Sequence, residues 1–376
     1  MIRLAALVLA LTASLAAQTV PPKPLLSHEV NADSSITFRY AASGATKVEL
    51  NLDFYKKPLA MTRDDNGVWS VTTPVLPPEI YAYSFIVDGV HDPDPLNTQV
   101  VPNLLGLSNN VTVSGPTPQP WEATDIPHGH LDHFYYTTHI SQHLPGDQSG
   151  YVVYTPPHYD PHRKGGYPVL YLLHGWSDSE VAWAAVGRAN FILDSMIDSG
   201  KAVPMIVVMP LGYGDFSFVQ SGHAVWDDPS KVDNNVNLFE KTMEGEIMPA
   251  VEHDYNVARG RENRAIIGLS MGGLESLTIS LHHTDEFAWV GGMSSAIHHE
   301  HFEDHFPGLD PKAANLRLLW VACGVEDDLI TSNRAFTAWA KGTGFEVTAV
   351  ETPGAHTWLV WRDNLLHFAP LLFRNK

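Results

Sequence analysis

The sequence predicts an α/β fold with a mostly parallel sheet, preceded by a small all-β immunoglobulin-like sandwich. Two rhythms of apolar residues, and one break between them, carry this expectation. From residue 151 onward, short continuous apolar runs alternate with longer stretches compatible with helices, as in a parallel sheet covered on both faces. Between residues 27 and 113 the apolar residues instead alternate singly, over short runs punctuated by turn residues. The break is Ser114-Gly115-Pro116-Thr117-Pro118-Gln119-Pro120, whose proline spacing reads as a semi-rigid linker. With 376 residues, 44% of them hydrophobic, the chain has room for one large domain and a smaller partner.

The first segment reads as an export signal. Arg3 precedes an apolar core over residues 4–11, followed by small residues up to Ala17. Residues 1–17 are therefore expected to be a signal peptide, and the mature protein to be secreted or periplasmic, off the membrane after signal removal. The apolar core is shorter than the roughly 20 residues that span a bilayer. The single cysteine, Cys323, permits no internal disulfide and reads as a small buried hydrophobe. A formal net charge of −19 argues against nucleic-acid and anionic-membrane partners, which need clustered Lys and Arg.

The sandwich is expected over residues 25–114, with strands at 36–40, 47–50, 68–71, 81–87 and 110–113. Asp65-Asn66-Gly67 and Asp88-Gly89 supply turns between them. Trp69, the Tyr81-x-Tyr83-x-Phe85 alternation and the Asp92-Pro93-Asp94-Pro95 turn resemble the early-set and family 48 carbohydrate-binding modules. That resemblance implies a polysaccharide-binding role, with Trp69 the candidate carbohydrate-binding ring. The same ring fits equally well as filling for the sandwich core. A linker over 115–124 then leads to the α/β domain over 125–376.

Within that domain, strands are expected at 151–154, 168–173, 205–209, 265–269, 289–292, 318–322 and 346–350, and helices at 191–199, 238–255 and 334–341. Residues 211–235 read as a long loop following a strand. The strand at 265–269 runs into Gly268-Leu269-Ser270-Met271-Gly272, a G-x-S-x-G turn followed by a stretch compatible with a helix. Such an elbow needs small residues two before and two after the serine, because strand and helix approach closely there. It lifts the hydroxyl into the open and aims a helix N-terminus at a developing oxyanion. Ser270 is thus the candidate nucleophile, and the strand–turn–helix context predicts an α/β-hydrolase.

A hydroxyl needs a base and a group to orient that base, which in this fold follow the serine in the order acid, then histidine. The strand at 318–322 opens into a loop carrying Glu326, Asp327 and Asp328. The last strand turns through Pro353-Gly354 to His356, the candidate base. Oxyanion donors are expected from the Met271 amide and from the end of the early strand closing on His174-Gly175-Trp176, with the Trp176 amide first and Gly175 close behind.

Tyr171-Leu-Leu-His-Gly-Trp176, the strand ending at Pro210, Gly268-Leu-Ser-Met-Gly-Gly273, Cys323-Gly-Val-Glu-Asp-Asp-Leu-Ile330 and Gly354-Ala-His-Thr-Trp358 occur in order. Together they resemble the feruloyl esterases of carbohydrate esterase family 1, the esterase D group, over the chain from residue 125. The resemblance implies a catalytic aspartate three residues after the acid-loop glycine, which is Asp327, and a Ser270–His356–Asp327 triad. It also implies hydroxycinnamoyl esters on arabinoxylan or pectin as substrates, so a feruloylated plant polysaccharide or oligosaccharide is the expected partner. Alternatives are esterases of acetylated xylan or of trilactone siderophores, and a catalytically silent polysaccharide-binding protein.

Gly175, Tyr213, Trp226 and Trp358 are candidate substrate contacts, because flat rings on loops of the catalytic face suit an aromatic acyl group. Two histidine clusters, His128-Gly129-His130-x-x-His133 and His298-His299-Glu300-His301-x-x-x-His305, match no standard zinc spacing. No metal and no cofactor are expected, since triad chemistry needs neither.

Overall fold

The computed structural model describes residues 24–297 and 301–374. The segment read as a signal peptide lies outside the described residues. Among the described residues no helix is long and apolar enough to cross a membrane.

An eight-stranded sheet forms the larger half, with strands in the order His130–Thr137, Gln148–Thr155, Ile206–Pro210, Val169–Leu173, Arg264–Leu269, Trp289–Met293, Leu318–Gly324 and Val347–Thr352. The first two join antiparallel at one edge, and the remaining six are parallel. Central strands are buried along their whole length, which explains their unbroken apolar runs. Side chains still alternate between the two faces. Leu170, Leu172, Val207 and Ile267 join the core under helices Ala189–Asp198 and Trp358–Phe368. Val169, Tyr171, Val208 and Ile266 join the core on the opposite face.

Two features depart from the sequence expectation. The edge strand His130–Thr137 went unread because most of its side chains are exposed and no apolar alternation marks its first half. The stretch read as loop to Asn235 is already helical from Pro229: Asp228 accepts a hydrogen bond from the Ser230 amide and Pro229 opens the first turn. The helix expected at 238–255 is Pro229–Thr242 continued through a π-helical turn, Met243–Ile247, into Met248–Asp254.

The smaller half is a sandwich of two antiparallel sheets. One contains His28–Val30, Ile36–Ala41, Val68–Thr72 and Thr62–Arg63. The other contains Leu59–Ala60, Val48–Leu52, Glu79–Val87, Ser108–Val113 and Val100–Val101, with Val90–Asp92 added on Glu79–Val87. Tyr81, Tyr83 and Phe85 face the sandwich core with Phe38, Leu50 and Trp69. The intervening residues of the same strand face the larger half: Ile80 enters its core, while Ala82 and Ser84 reach the cleft described below.

Arg362 bolts the halves together. It is 1% exposed, on the last long helix, and donates to Glu79 Oε1 at 3.1 Å, Ile80 O at 2.5 Å and Val186 O at 3.0 Å. Trp121 of the connecting stretch is buried in the larger half's core, and its carbonyl accepts from Arg188.

Candidate active site

The order of the sheet decides where chemistry can occur. From strand Val169–Leu173 the chain moves to Ile206–Pro210 on one side, then returns to Arg264–Leu269 on the other. The reversal leaves a crevice at the carboxyl ends of these two strands. Those ends carry His174-Gly175-Trp176 and Ser270.

Ser270 occupies φ 55°, ψ −115°, a conformation costing of order 1–3 kcal/mol that persists only when its surroundings enforce it. Two glycines allow the enforcement. A Cβ on Gly268 would lie 2.2 Å from the Gly272 carbonyl oxygen, and one on Gly272 would lie 2.4 Å from that of His174. Only bare backbone lets strand, elbow and helix Met271–His282 meet at these distances.

His356 faces Ser270 from the loop after the last strand, with Nε2 3.0 Å from the serine Oγ. Its Nδ1 lies 2.8 Å from Asp327 Oδ2. Of the three carboxylates in the acid loop, Asp327 alone turns inward: it is 3% exposed, and Oδ1 accepts from the Leu329 amide at 2.8 Å. Glu326 pairs with Lys56 of the sandwich at 2.7 Å, and Asp328 is exposed. Burial alone would raise the Asp327 carboxyl. The His356 hydrogen bond and charge, with the Leu329 amide and Ser294 hydroxyl, outweigh it and hold the group below its ordinary value. Asp327 is therefore an anion suited to orienting an Nδ1–H tautomer and to stabilising an imidazolium.

The strand end at His174 has its own internal logic. His174 is buried, and burial pushes its imidazole down to about 4. Its Nε2 accepts from the Gly212 amide at 2.8 Å, so the proton sits on Nδ1, which donates to Gly175 O at 2.8 Å. The Gly175 carbonyl is thereby drawn inward. Carbonyl and N–H oppose one another across a trans peptide, so the Trp176 N–H is turned away from the His174 ring. Neither the Trp176 nor the Met271 amide donates to a group among the described residues. Glu275, one turn beyond the elbow, is fully buried with Oε2 unpartnered, and burial pushes its carboxyl well above the ordinary range.

A cleft of about 460 Å³ opens over Ser270 and His356. Gly175, Trp176 and Trp358 line it, as does Trp361, whose ring meets His356 edge-on at 4.9 Å. The opposite wall belongs to the sandwich, through Asn51, Asp53, Ser84, His91 and Asn103. Nothing in the sequence marked these residues, because outward strand positions such as Asn51 and Ser84, and polar loop residues such as Asp53 and Asn103, read as solvent-facing. Asp53 is pushed up to about 7, chiefly by burial.

Three sequence candidates lie elsewhere. Tyr213 is fully buried behind the His174 loop, its hydroxyl donating to Asp178 O at 3.3 Å. Trp226 packs on Phe218 at 5.1 Å, away from the cleft. Trp69 is 8% exposed, with Nε1 donating to Ala42 O at 2.9 Å, so it fills the sandwich core and presents no ring to a polysaccharide. The first histidine cluster disperses: His128 pairs with Asp194 at 2.8 Å and His133 with Glu180 at 3.0 Å. Residues 298–300 of the second lie outside the described residues. Among the described residues, no group of three His, Cys, Asp or Glu side chains converges on a metal-sized site. Cys323 is buried, and burial first, then the Asp327 charge, raises its thiol to about 12.

Residues 141–371 match the family described as "Putative esterase", and residues 26–100 match "Carbohydrate-binding module 48 (Isoamylase N-terminal domain)". A protein of Xylanibacter ruminicola named endo-1,4-beta-xylanase/feruloyl esterase is 30% identical over 92% of this chain, which spans only 46% of that relative. An acetyl esterase of Caldicellulosiruptor saccharolyticus is 23% identical over 51% of this chain and 78% of its own length. Among solved structures, a CE1 ferulic acid esterase of Anaeromyces mucronatus superposes with TM-score 0.59 and 23% identity, covering 68% of this chain and 96% of that one. The enterobactin esterase of Shigella flexneri superposes with TM-score 0.63 and 19% identity over 89% and 92% of the two chains. At these identities the structural likeness carries the fold alone.

Proposed function

The chain belongs to the "Putative esterase" family, and from that premise we propose that it is a serine carboxylic ester hydrolase acting on hydroxycinnamoyl esters of plant cell-wall polysaccharide. The observation that carries the reading is the continuous line from Asp327 through His356 to Ser270, at 2.8 and 3.0 Å. His356 Nε2 takes the proton as Ser270 Oγ attacks the ester carbonyl, and the oxyanion forms against the Met271 and Trp176 amides. Collapse of the tetrahedral species breaks the bond to the alcohol, which leaves with the proton from His356. Water, deprotonated by the same imidazole, then hydrolyses the acyl-enzyme to the free acid.

The named activity of the Xylanibacter ruminicola relative supports the hydroxycinnamate, and the match to carbohydrate-binding module 48 supports a carbohydrate on the alcohol side. The cleft has complementary walls, with indole rings beside the triad and amide, hydroxyl and carboxyl groups on the sandwich. A flat acyl group suits the first wall and a polyhydroxyl leaving group the second. A second reading, a trilactone siderophore as substrate, is favoured by the enterobactin esterase, which superposes over both halves of this chain. One panel separates them: methyl ferulate, 4-nitrophenyl acetate and a trilactone siderophore, each with wild type and Ser270→Ala. Turnover of methyl ferulate, abolished in the variant, is the expected result. Activity surviving in Ser270→Ala overturns the triad, and a clear preference for the trilactone moves the substrate.

A further inference from the structure

We infer that the sandwich does more than wall the cleft: through Asn103 it clamps the oxyanion loop in its working shape, making Asn103 a positioning residue for hydrolysis. The inference rests on the ester-hydrolase reading above. Three hydrogen bonds carry it. The Leu104 amide donates to Ser177 O at 2.7 Å. Asn103 Nδ2 donates to Ser177 Oγ at 2.8 Å and to Asp178 Oδ1 at 3.1 Å. Asn103 is itself aimed, because its Oδ1 accepts from the Leu105 amide at 3.0 Å.

These bonds fall on the two residues following Trp176. Ser177 sits at φ 68°, a left-handed conformation that a serine holds only under outside restraint. Within the larger half, the Asp178 amide closes the turn on Gly175 O at 3.2 Å, and His174 draws in the same carbonyl. That interior anchor fixes one end of the loop. The Ser177 carbonyl and hydroxyl, and one Asp178 carboxylate oxygen, find their partners on the sandwich. Without the Asn103 amide, Asp178, a side chain only 7% exposed, loses its donor and the Ser177 hydroxyl its partner on the sandwich, so the strained turn keeps only the Leu104–Ser177 and Asp178–Gly175 backbone bonds and the Tyr213 hydroxyl on the Asp178 carbonyl. The Trp176 N–H lies on the segment that would relax. A displacement of about 1 Å there is enough to weaken an oxyanion donor, whose full loss costs about 10²–10³ in kcat.

A sandwich that merely held polysaccharide would be irrelevant to an ester too small to reach it. The test is therefore kcat and KM for 4-nitrophenyl acetate, measured on the full chain. In Asn103→Ala, kcat is expected to fall roughly tenfold, part of the loss for a whole donor, with KM within about twofold. An unchanged kcat in a variant with a cooperative thermal transition overturns the clamp. If Asn103→Ala does not fold, Ser177→Ala is read the same way: a few-fold fall in kcat sustains the proposal, and wild-type kcat defeats it. Failure of the underlying reading looks different, since the wild type itself would then hydrolyse no ester, or Ser270→Ala would retain activity.

Discussion

The two sides of the cleft are built by different rules. The triad side hangs from strand ends: Ser270, Asp327 and His356 each follow a parallel strand, the first two strands buried and the last paired along the sheet edge. The sandwich side hangs from strand faces, since Asn51 and Ser84 project from antiparallel strands whose alternate residues fill the sandwich core. Strand ends can hold strained backbone, as at Ser270, so they suit chemistry. A strand face offers a row of side chains on a rigid plane, which suits recognition. Mutations that separate chemistry from recognition therefore test the comparison directly.

The largest effect belongs to the triad. Ser270→Ala should lower kcat by about 10⁶, and Asp327→Asn by about 10⁴, because the amide cannot hold the imidazolium and favours the wrong tautomer. Asp328→Asn, one residue on and exposed, should leave kcat within about twofold. Steady-state kinetics on methyl ferulate checks all three, and equal losses at 327 and 328 would reassign the acid.

Next comes the joint between the halves. Arg362→Ala strands Glu79 and two backbone carbonyls in a buried interface, and should cost about 3–5 kcal/mol. Urea unfolding should show either a lower single midpoint or two transitions, the sandwich parting first. A midpoint equal to wild type would mean that apolar contacts such as Ile80 and Trp121 hold the halves without the bolt.

The sequence made the nucleophile and the base readable because each is tied to a nearby backbone demand. Gly268 and Gly272 betray the elbow, and Pro353-Gly354 the turn that presents His356. The acid rested on the family resemblance, three residues after Gly324, because the residues alone leave Glu326, Asp327 and Asp328 alike; burial then separates Asp327 from its neighbours. Aromatic rings were less readable. Position on a loop after a strand suggested Tyr213 and Trp226, and the family resemblance suggested Trp69, but the direction of a ring depends on contacts distant in the chain. Tyr213 turned inward to the Asp178 carbonyl, and Trp69 to that of Ala42. The cleft wall was unreadable for a further reason: polar residues between inward-facing apolar ones carry the same pattern whether they meet water or another domain.

Asp178 lies on the border, a loop residue of the larger half paired with Asn103 of the smaller. Burial pushes its carboxyl up to about 7, against the opposing hydrogen bond from Asn103. The folded state then binds more protons than the unfolded chain between about pH 4 and pH 7, so this group's contribution to stability falls as pH rises through that window. Asp178→Asn removes the titration while its amide oxygen can still accept from Asn103. Relative to wild type, the variant should be equally stable near pH 4 and more stable at pH 8, by at most about 4 kcal/mol. Parallel urea curves at both pH values would mean that water reaches the carboxyl.

The smallest expected effect isolates the recognition wall. Asn51 projects from strand Val48–Leu52 into the cleft, on the opposite side from the indole rings. One hydrogen bond to a sugar hydroxyl contributes about 0.5–1.5 kcal/mol, so Asn51→Ala should raise KM for a feruloylated oligosaccharide about two- to fivefold. Methyl ferulate has no sugar to meet the wall, and its kcat and KM should stay at wild-type values. The pair of substrates is what gives the measurement its force. A loss shared by both would show the wall acting on the acyl half or on the triad itself, and a loss on neither would leave the sandwich face without a part in recognition. Only the asymmetric outcome fits a site in which strand ends perform the reaction and a strand face chooses the alcohol.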